Sequence, residues 1–204
     1  MDAYNFFKEV CSIKDEQLLH ELINITEYKC KKKGSFIVRA GEPQNEVWLM
    51  ESGIARGYFL NVNGEEVTDC FIFKPGSAAM AISDLKSGIP SPLAIEMLED
   101  GYFYCIPISV IAELQKKYIE ISIFYTHLLS ASLNMHWSLK RLLTQCTATQ
   151  RYQWFLQEYP GLIDRVKKKY IASYIGMTPV TISRIRRILK NDSGEANMLQ
   201  DNRF

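Results

Sequence analysis

Lys168-Lys169-Tyr170-Ile171-Ala172-Ser173-Tyr174-Ile175-Gly176-Met177-Thr178-Pro179-Val180-Thr181-Ile182-Ser183-Arg184-Ile185-Arg186-Arg187 is the stretch that decides how the chain reads. Two helices that cross at a tight turn need a small residue in the first helix, and Ala172 is placed for it. Four residues on, the turn needs a residue at ease with positive φ, and Gly176 supplies it. Ile171, Ile175, Met177, Ile182 and Ile185 fall where the two helices face each other and a domain core. Thr178 suits the N-cap of the second helix, with Pro179 in its first turn. This is the pattern of a helix-turn-helix.

With the isoleucines turned inward, Thr181, Ser183, Arg184 and Arg187 face outward. A helix laid this way in a major groove presents its N-terminal half to base edges, where arginine grips guanine through two hydrogen bonds. Lys167, Lys168 and Lys169, at the start of the first helix, suit phosphates. The expected DNA-binding set is Lys167, Lys168, Lys169, Thr178, Pro179, Val180, Thr181, Ser183, Arg184, Arg186 and Arg187. The plainer alternative is a helical hairpin with a basic, solvated face.

Charge runs the same way. Residues 1–139 hold 12 Lys/Arg against 18 Asp/Glu, whereas residues 140–190 hold 11 Lys/Arg against Glu158 and Asp164 alone. A basic segment behind an acidic body suits a nucleic-acid partner, although a solvated basic face would carry the same charge.

Upstream, residues 1–25 carry helical spacing through Phe6, Phe7, Val10, Leu18, Leu19, Leu22 and Ile23. From about Glu27 to Pro107 short apolar or alternating runs are cut by Gly34, Gly41, Gly53, Gly64 and Gly76, as in an antiparallel sandwich or barrel. Asn63-Gly64 is the strongest hairpin signal and predicts a type I′ turn. The segment from about Val110 to Leu143 is helical, with a stripe of Phe124, Leu128, Ala131, Met135, Ser138 and Leu142 at heptad spacing. That stripe fits a helix packed against a copy of itself, and equally an amphipathic helix lying on its own domain. Thr147 and Gln150 stand at capping-box spacing, and Pro160-Gly161 ends the helix they begin.

Other chemistries find little support. Cys11, Cys30, Cys70, Cys105 and Cys146 are scattered without a Cys-x-x-Cys pair, which predicts buried or half-buried thiols and no zinc or iron–sulfur site. His20, His127 and His136 all lie in helical segments outside the strand-rich region, so neither a metal-dependent jelly-roll enzyme nor any other enzyme is expected. No run of about 18 apolar residues and no basic-then-apolar leader is present, so the expectation is a cytoplasmic protein with no membrane partner.

These glycines, the segment Arg151-Tyr152 through Tyr159-Pro160, and Ile171 through Ile185 together resemble the Crp/Fnr family of bacterial regulators, over about residues 5–190. The resemblance implies an α+β chain: an N-terminal antiparallel β-roll of jelly-roll type, a long central dimerisation helix, and a C-terminal winged-helix-type helix-turn-helix domain. The expected limits are 1–116 for the roll with its N-terminal helices, 117–145 for the central helix and 146–204 for the DNA-binding domain. The dimer would meet through Phe124, Leu128, Ala131, Met135 and Leu142. Double-stranded DNA with a pseudo-palindromic operator, a second copy of the chain and RNA polymerase are the implied partners. Arg184 stands at the family's base-reading arginine and Val180 where many members carry a glutamate, so the preferred base pair there should differ. The tail Asn191 to Phe204 lacks the apolar strand of the family's wing, so a reduced wing is expected.

Family members that bind cyclic AMP hold its ribose with a Gly-Glu pair and its phosphate with an arginine pair. Here Met80-Ala81 and Ser91-Pro92 stand at those places. An effector pocket at Met80, Ala81, Ile82, Ser83, Ser91 and Pro92 is therefore expected to serve a less charged molecule than a cyclic nucleotide, or none. No cofactor is expected. A β-roll interaction module that has lost DNA binding is the alternative.

Overall fold

Glycine-cut, alternating runs become short antiparallel strands, because alternate side chains then point into a shared core while the turns sit at the surface. The computed structural model describes residues 1–81 and 86–189. Its strands are β1 (Glu27–Lys31), β2 (Phe36–Val38), β3 (Pro43–Gln44), β4 (Glu46–Ser52), β5 (Ala55–Leu60), β6 (Glu66–Ile72), β7 (Ile89–Pro90), β8 (Ala94–Met97) and β9 (Gly101–Pro107). They pair antiparallel in the orders β1-β9-β4, β2-β8-β5-β6 and β3-β7. Met50, Phe103 and Cys105 from the first sheet meet Val38, Ala55, Ile72, Ile95 and Met97 from the second, and this joint core closes the roll. The fold is the expected α+β arrangement with an antiparallel roll.

Arg56 and its cross-strand partner Glu96 alternate away from that core. The Arg56 side chain is only 1% exposed, and its Nη2 lies 2.5 Å from Glu66 and 2.9 Å from Glu96. Its guanidinium also stacks 4.3 Å from the centre of the Tyr58 ring. The roll's one buried arginine among the described residues is thus engaged by its own sheet.

Three local expectations change. The β5–β6 pairing closes at Leu60↔Glu66, which leaves five residues in the loop. Gly64 has φ +78° but Asn63 does not have positive φ, so the turn is not type I′. Instead the Gly64 N–H donates to the Asn61 carbonyl, and the Asn61 side chain accepts from Asn63 and Glu65, as in a longer loop built on a type I turn. The N-terminal helix is also broken: α1 (Ala3–Asn5) runs into a π-helical turn over Phe6–Val10, and the chain restarts as α2 (Glu16–Ile25) behind an Asp15 N-cap. Finally, Cys11 and Cys105 are buried and Cys70 and Cys146 half-buried, but Cys30 on β1 is exposed.

After the roll come α3 (Ile108–Lys117) and the 27-residue α4 (Ile119–Gln145). The chain divides into two compact units, Met1–Met135 and His136–Phe204, so α4 begins in the first and ends in the second. In the first unit a second core lies outside the roll. Phe6, Phe7, Leu18, Leu19 and Leu22 of the N-terminal helices pack there with Leu49, Tyr104 and Ile106 of the three-stranded sheet, and with Ile121, Phe124 and Leu128 of α4. No helix among the described residues is long and apolar enough to cross a membrane.

Removing the guanidinium would leave Glu66 and Glu96 facing each other without their cation. Arg56→Ala should therefore cost about 3 kcal/mol of stability, measured by urea unfolding of the whole chain.

Candidate nucleic-acid interface

Four helical segments build the second unit beyond α4: α5 (Ala148–Glu158), α6 (Leu162–Arg165), α7 (Lys168–Tyr174) and α8 (residues 179–189). The Thr147–Gln150 capping box forms as the spacing predicts and starts α5. Phe155, Tyr159 and Tyr174 make an aromatic core, with the Tyr159 and Tyr174 hydroxyls 2.7 Å apart. Ile171, Ala172, Ile175, Ile182 and Ile185 are all buried in this unit, while Met177 is only half-buried.

The turn between α7 and α8 is fixed by backbone geometry. Gly176 has φ +63°, its N–H donates to Ser173 O, and Met177 N–H donates back to Ala172 O. This pair of bonds satisfies the last carbonyls of α7 and needs a left-handed residue at position 176. A Cβ there would lie 2.7 Å from a Leu143 methyl and 3.2 Å from Arg151 Nη1, so space as well as φ demands glycine. Arg151, which the sequence pattern did not single out, thus packs against the turn, and its Nε is buried without a hydrogen-bond partner. The Thr178 hydroxyl accepts from the Thr181 N–H at 3.1 Å and caps α8.

With Ile182 and Ile185 turned inward, α8 presents Val180, Ser183, Arg184 and Arg187 to solvent. Thr178 and Pro179 are exposed at its start, and Thr181 is half-exposed. Lys167, Lys168 and Lys169 are exposed at the start of α7. Arg186 is set apart from this group, half-buried with its guanidinium 3.7 Å from Asp164 of α6. The outward face is therefore cationic, with chemistry able to meet phosphates or base edges.

No family model matches the chain. It is 25% identical over 183 residues to the anaerobic regulatory protein of Haemophilus influenzae, an alignment covering 84% of this chain and 70% of that one. The structure of FixK2 from Bradyrhizobium japonicum superposes with a TM-score of 0.73 at 20% identity, over 83% of this chain and 86% of the other. A protein of Eubacterium rectale assigned to the crp/fnr family of transcriptional regulators gives a TM-score of 0.67 at 17% identity, over 92% and 88%. The chain is thus similar in sequence to anaerobic regulatory proteins and shares the fold of Crp/Fnr-type regulators.

The roll carries the other group of expected residues. Ser91 is buried, and its hydroxyl donates to the Leu93 carbonyl at 2.6 Å. Ala81 is held by Gln44, whose side chain accepts the Ala81 N–H at 2.8 Å. Met80 is half-buried and packs toward the helical core, and Pro92 is exposed. Ile82 and Ser83 lie outside the described residues, as does the tail with its expected reduced wing. Arg56 is held by Glu66 and Glu96, and Arg39 is exposed beside Glu42 at 3.6 Å. Arg56 is thus committed to two carboxylates of its own sheet.

On α4, Phe124 and Leu128 pack into the first unit's helical core, Ala131 is exposed, Met135 is half-buried and Leu142 is buried. The apolar side chains that remain well exposed on this helix include Ile119, Ile123, Leu133 and Trp137.

A side chain at position 176 would strain the left-handed turn and displace Leu143. Gly176→Ala should destabilise the second unit by about 1–3 kcal/mol, seen as a lower midpoint in thermal unfolding followed by tryptophan fluorescence.

Proposed function

We propose that the chain binds a pseudo-palindromic DNA operator as a homodimer, through α8, and that cyclic nucleotides do not control it. The observation that carries this reading is the single outward face formed by Val180, Ser183, Arg184 and Arg187, with the Lys167–Lys169 run beside it in the same unit. Arg184 takes the base-reading role, and the exposed lysines hold phosphates. Val180 offers a methyl surface where a carboxylate would accept from cytosine, which favours contact with a thymine methyl. Arg186 contributes less, because Asp164 already faces it.

Dimerisation is assigned to α4. Ile119 and Leu133 recur at multiples of seven, as do Ile123 and Trp137, so their exposed side chains form one heptad seam that only another apolar surface satisfies. Phe124 and Leu128, on the opposite side of the helix, pack into the first unit's helical core. The absence of a cyclic-nucleotide response rests on Ser91, whose hydroxyl is engaged by Leu93, and on Arg56, which is locked by two carboxylates.

Selection of bound sequences from a random duplex pool with ligand-free protein should enrich a pseudo-palindrome whose half-sites lie about 10 bp apart. A short asymmetric site would overturn the dimer. No enrichment, with affinity indifferent to salt, would favour the interaction module instead. Arg184→Ala should lose about 1–3 kcal/mol of discrimination at one base pair of each half-site, whereas Lys168→Ala should weaken all sequences alike. Trp137→Glu should shift the protein toward monomer in sedimentation while leaving its circular dichroism unchanged.

A further inference from the structure

The first unit contains a cavity that the expected effector pocket does not include. It is a partly open apolar cleft, about 450 Å³ when counted out to open solvent, and its wall presents no polar surface. Leu49 of β4 and Ile106 of β9 form its floor, and Ile121, Phe124 and Leu128 of α4 its roof. Among the described residues, none of Met80, Ala81, Ser91 and Pro92 lines it.

The third wall is built by a segment in unusual conformations. Phe7 comes from the π-helical turn, and Cys11 and Ile13 flank Ser12, whose φ is +60°. Ser12 is the one non-glycine residue with positive φ among the described residues. A π-turn and a left-handed serine are both costly relative to regular helix, and such features gather at ligand sites. Regular helix through Val10–Lys14 would have been the cheaper solution. Burial pushes the Cys11 thiol up to about 12, so it remains a neutral, weakly polar wall group.

The same segment is fastened to α4. One Glu120 carboxylate oxygen accepts the N–H groups of Lys14 at 3.0 Å and Asp15 at 3.2 Å. Anything that fills the space beneath Phe124 and Leu128 therefore bears on the first turns of the helix whose exposed side carries Ile123. A cavity without polar groups does not hold ordered water well and takes an apolar guest.

We infer that this cavity is a binding site for a small, uncharged, apolar molecule of a few heavy atoms, and that its occupancy is read out through α4. The readout rests on the DNA-binding dimer proposed above; the binding itself does not.

Xenon is the probe, added to the full-length protein with labelled isoleucine and leucine methyls followed by NMR. The methyls of Ile13, Leu49, Ile121 and Leu128 should shift saturably, and in Cys11→Met, which adds bulk to the cavity, the response should fall at least tenfold. If that variant fails to fold, Val47→Ile adds one methyl to the same wall and serves instead. Shifts no larger than those of the exposed Leu60 and Ile188 methyls would overturn the site. Operator affinity should change at least threefold with xenon in the native protein and not in the filled variant. Saturable shifts with unchanged operator affinity would overturn the readout. A protein that binds no operator under any condition would overturn the DNA reading, and the methyl shifts would still decide the cavity.

Discussion

Phe124 and Leu128 sink into the core between the N-terminal helices and the three-stranded sheet, and one turn earlier Glu120 takes the backbone N–H groups of Lys14 and Asp15. These contacts set the rotation of α4 about its own axis. A helix has one angular setting, so burying Phe124 and Leu128 places Ile119, Ile123, Leu133 and Trp137 in solvent. The seam offered to a second copy and the roof of the apolar cavity follow from the same setting. They are opposite faces of one helix.

The second unit depends on a different kind of constraint. Its last helix, α8, is aimed by a backbone turn, in which Gly176 closes α7 through the Ser173 and Ala172 carbonyls and lies against Leu143 and Arg151. Side-chain packing of Ile171, Ile175, Ile182 and Ile185 then holds α8 with its short polar and basic side chains outward. This unit holds half of the chain's lysines and arginines but few of its carboxylates, whereas the first unit carries an acidic excess.

The roll keeps the family's architecture while its polar groups are turned to internal use. Ser91 bonds to Leu93, Gln44 to Ala81, and Arg56 to Glu66 and Glu96. Buried polar groups satisfied in this way stiffen a scaffold and leave few donors for an anion. An apolar cavity beside α4 suits a sensor with that balance.

The sequence by itself determined the elements whose causes are local. Gly176, the Thr178 cap, the Thr147–Gln150 box and the inward isoleucines each act within a few residues, so spacing sufficed to place them. Strand alternation and regular glycines likewise made the roll legible. Tertiary structure alone decided which side of α4 is buried, because Phe124 and Ile123 are equally apolar and only the roll's surface chooses between them. It also decided that Asn63-Gly64 belongs to a five-residue loop, since the register of β5 against β6 is a two-strand property. The pairing of Arg186 with Asp164, the break at Cys11–Lys14 and the cavity behind it depend on residues brought together from distant parts of the chain. No pattern along one helix or strand encodes them, because the energy that fixes them arises only once the two surfaces meet.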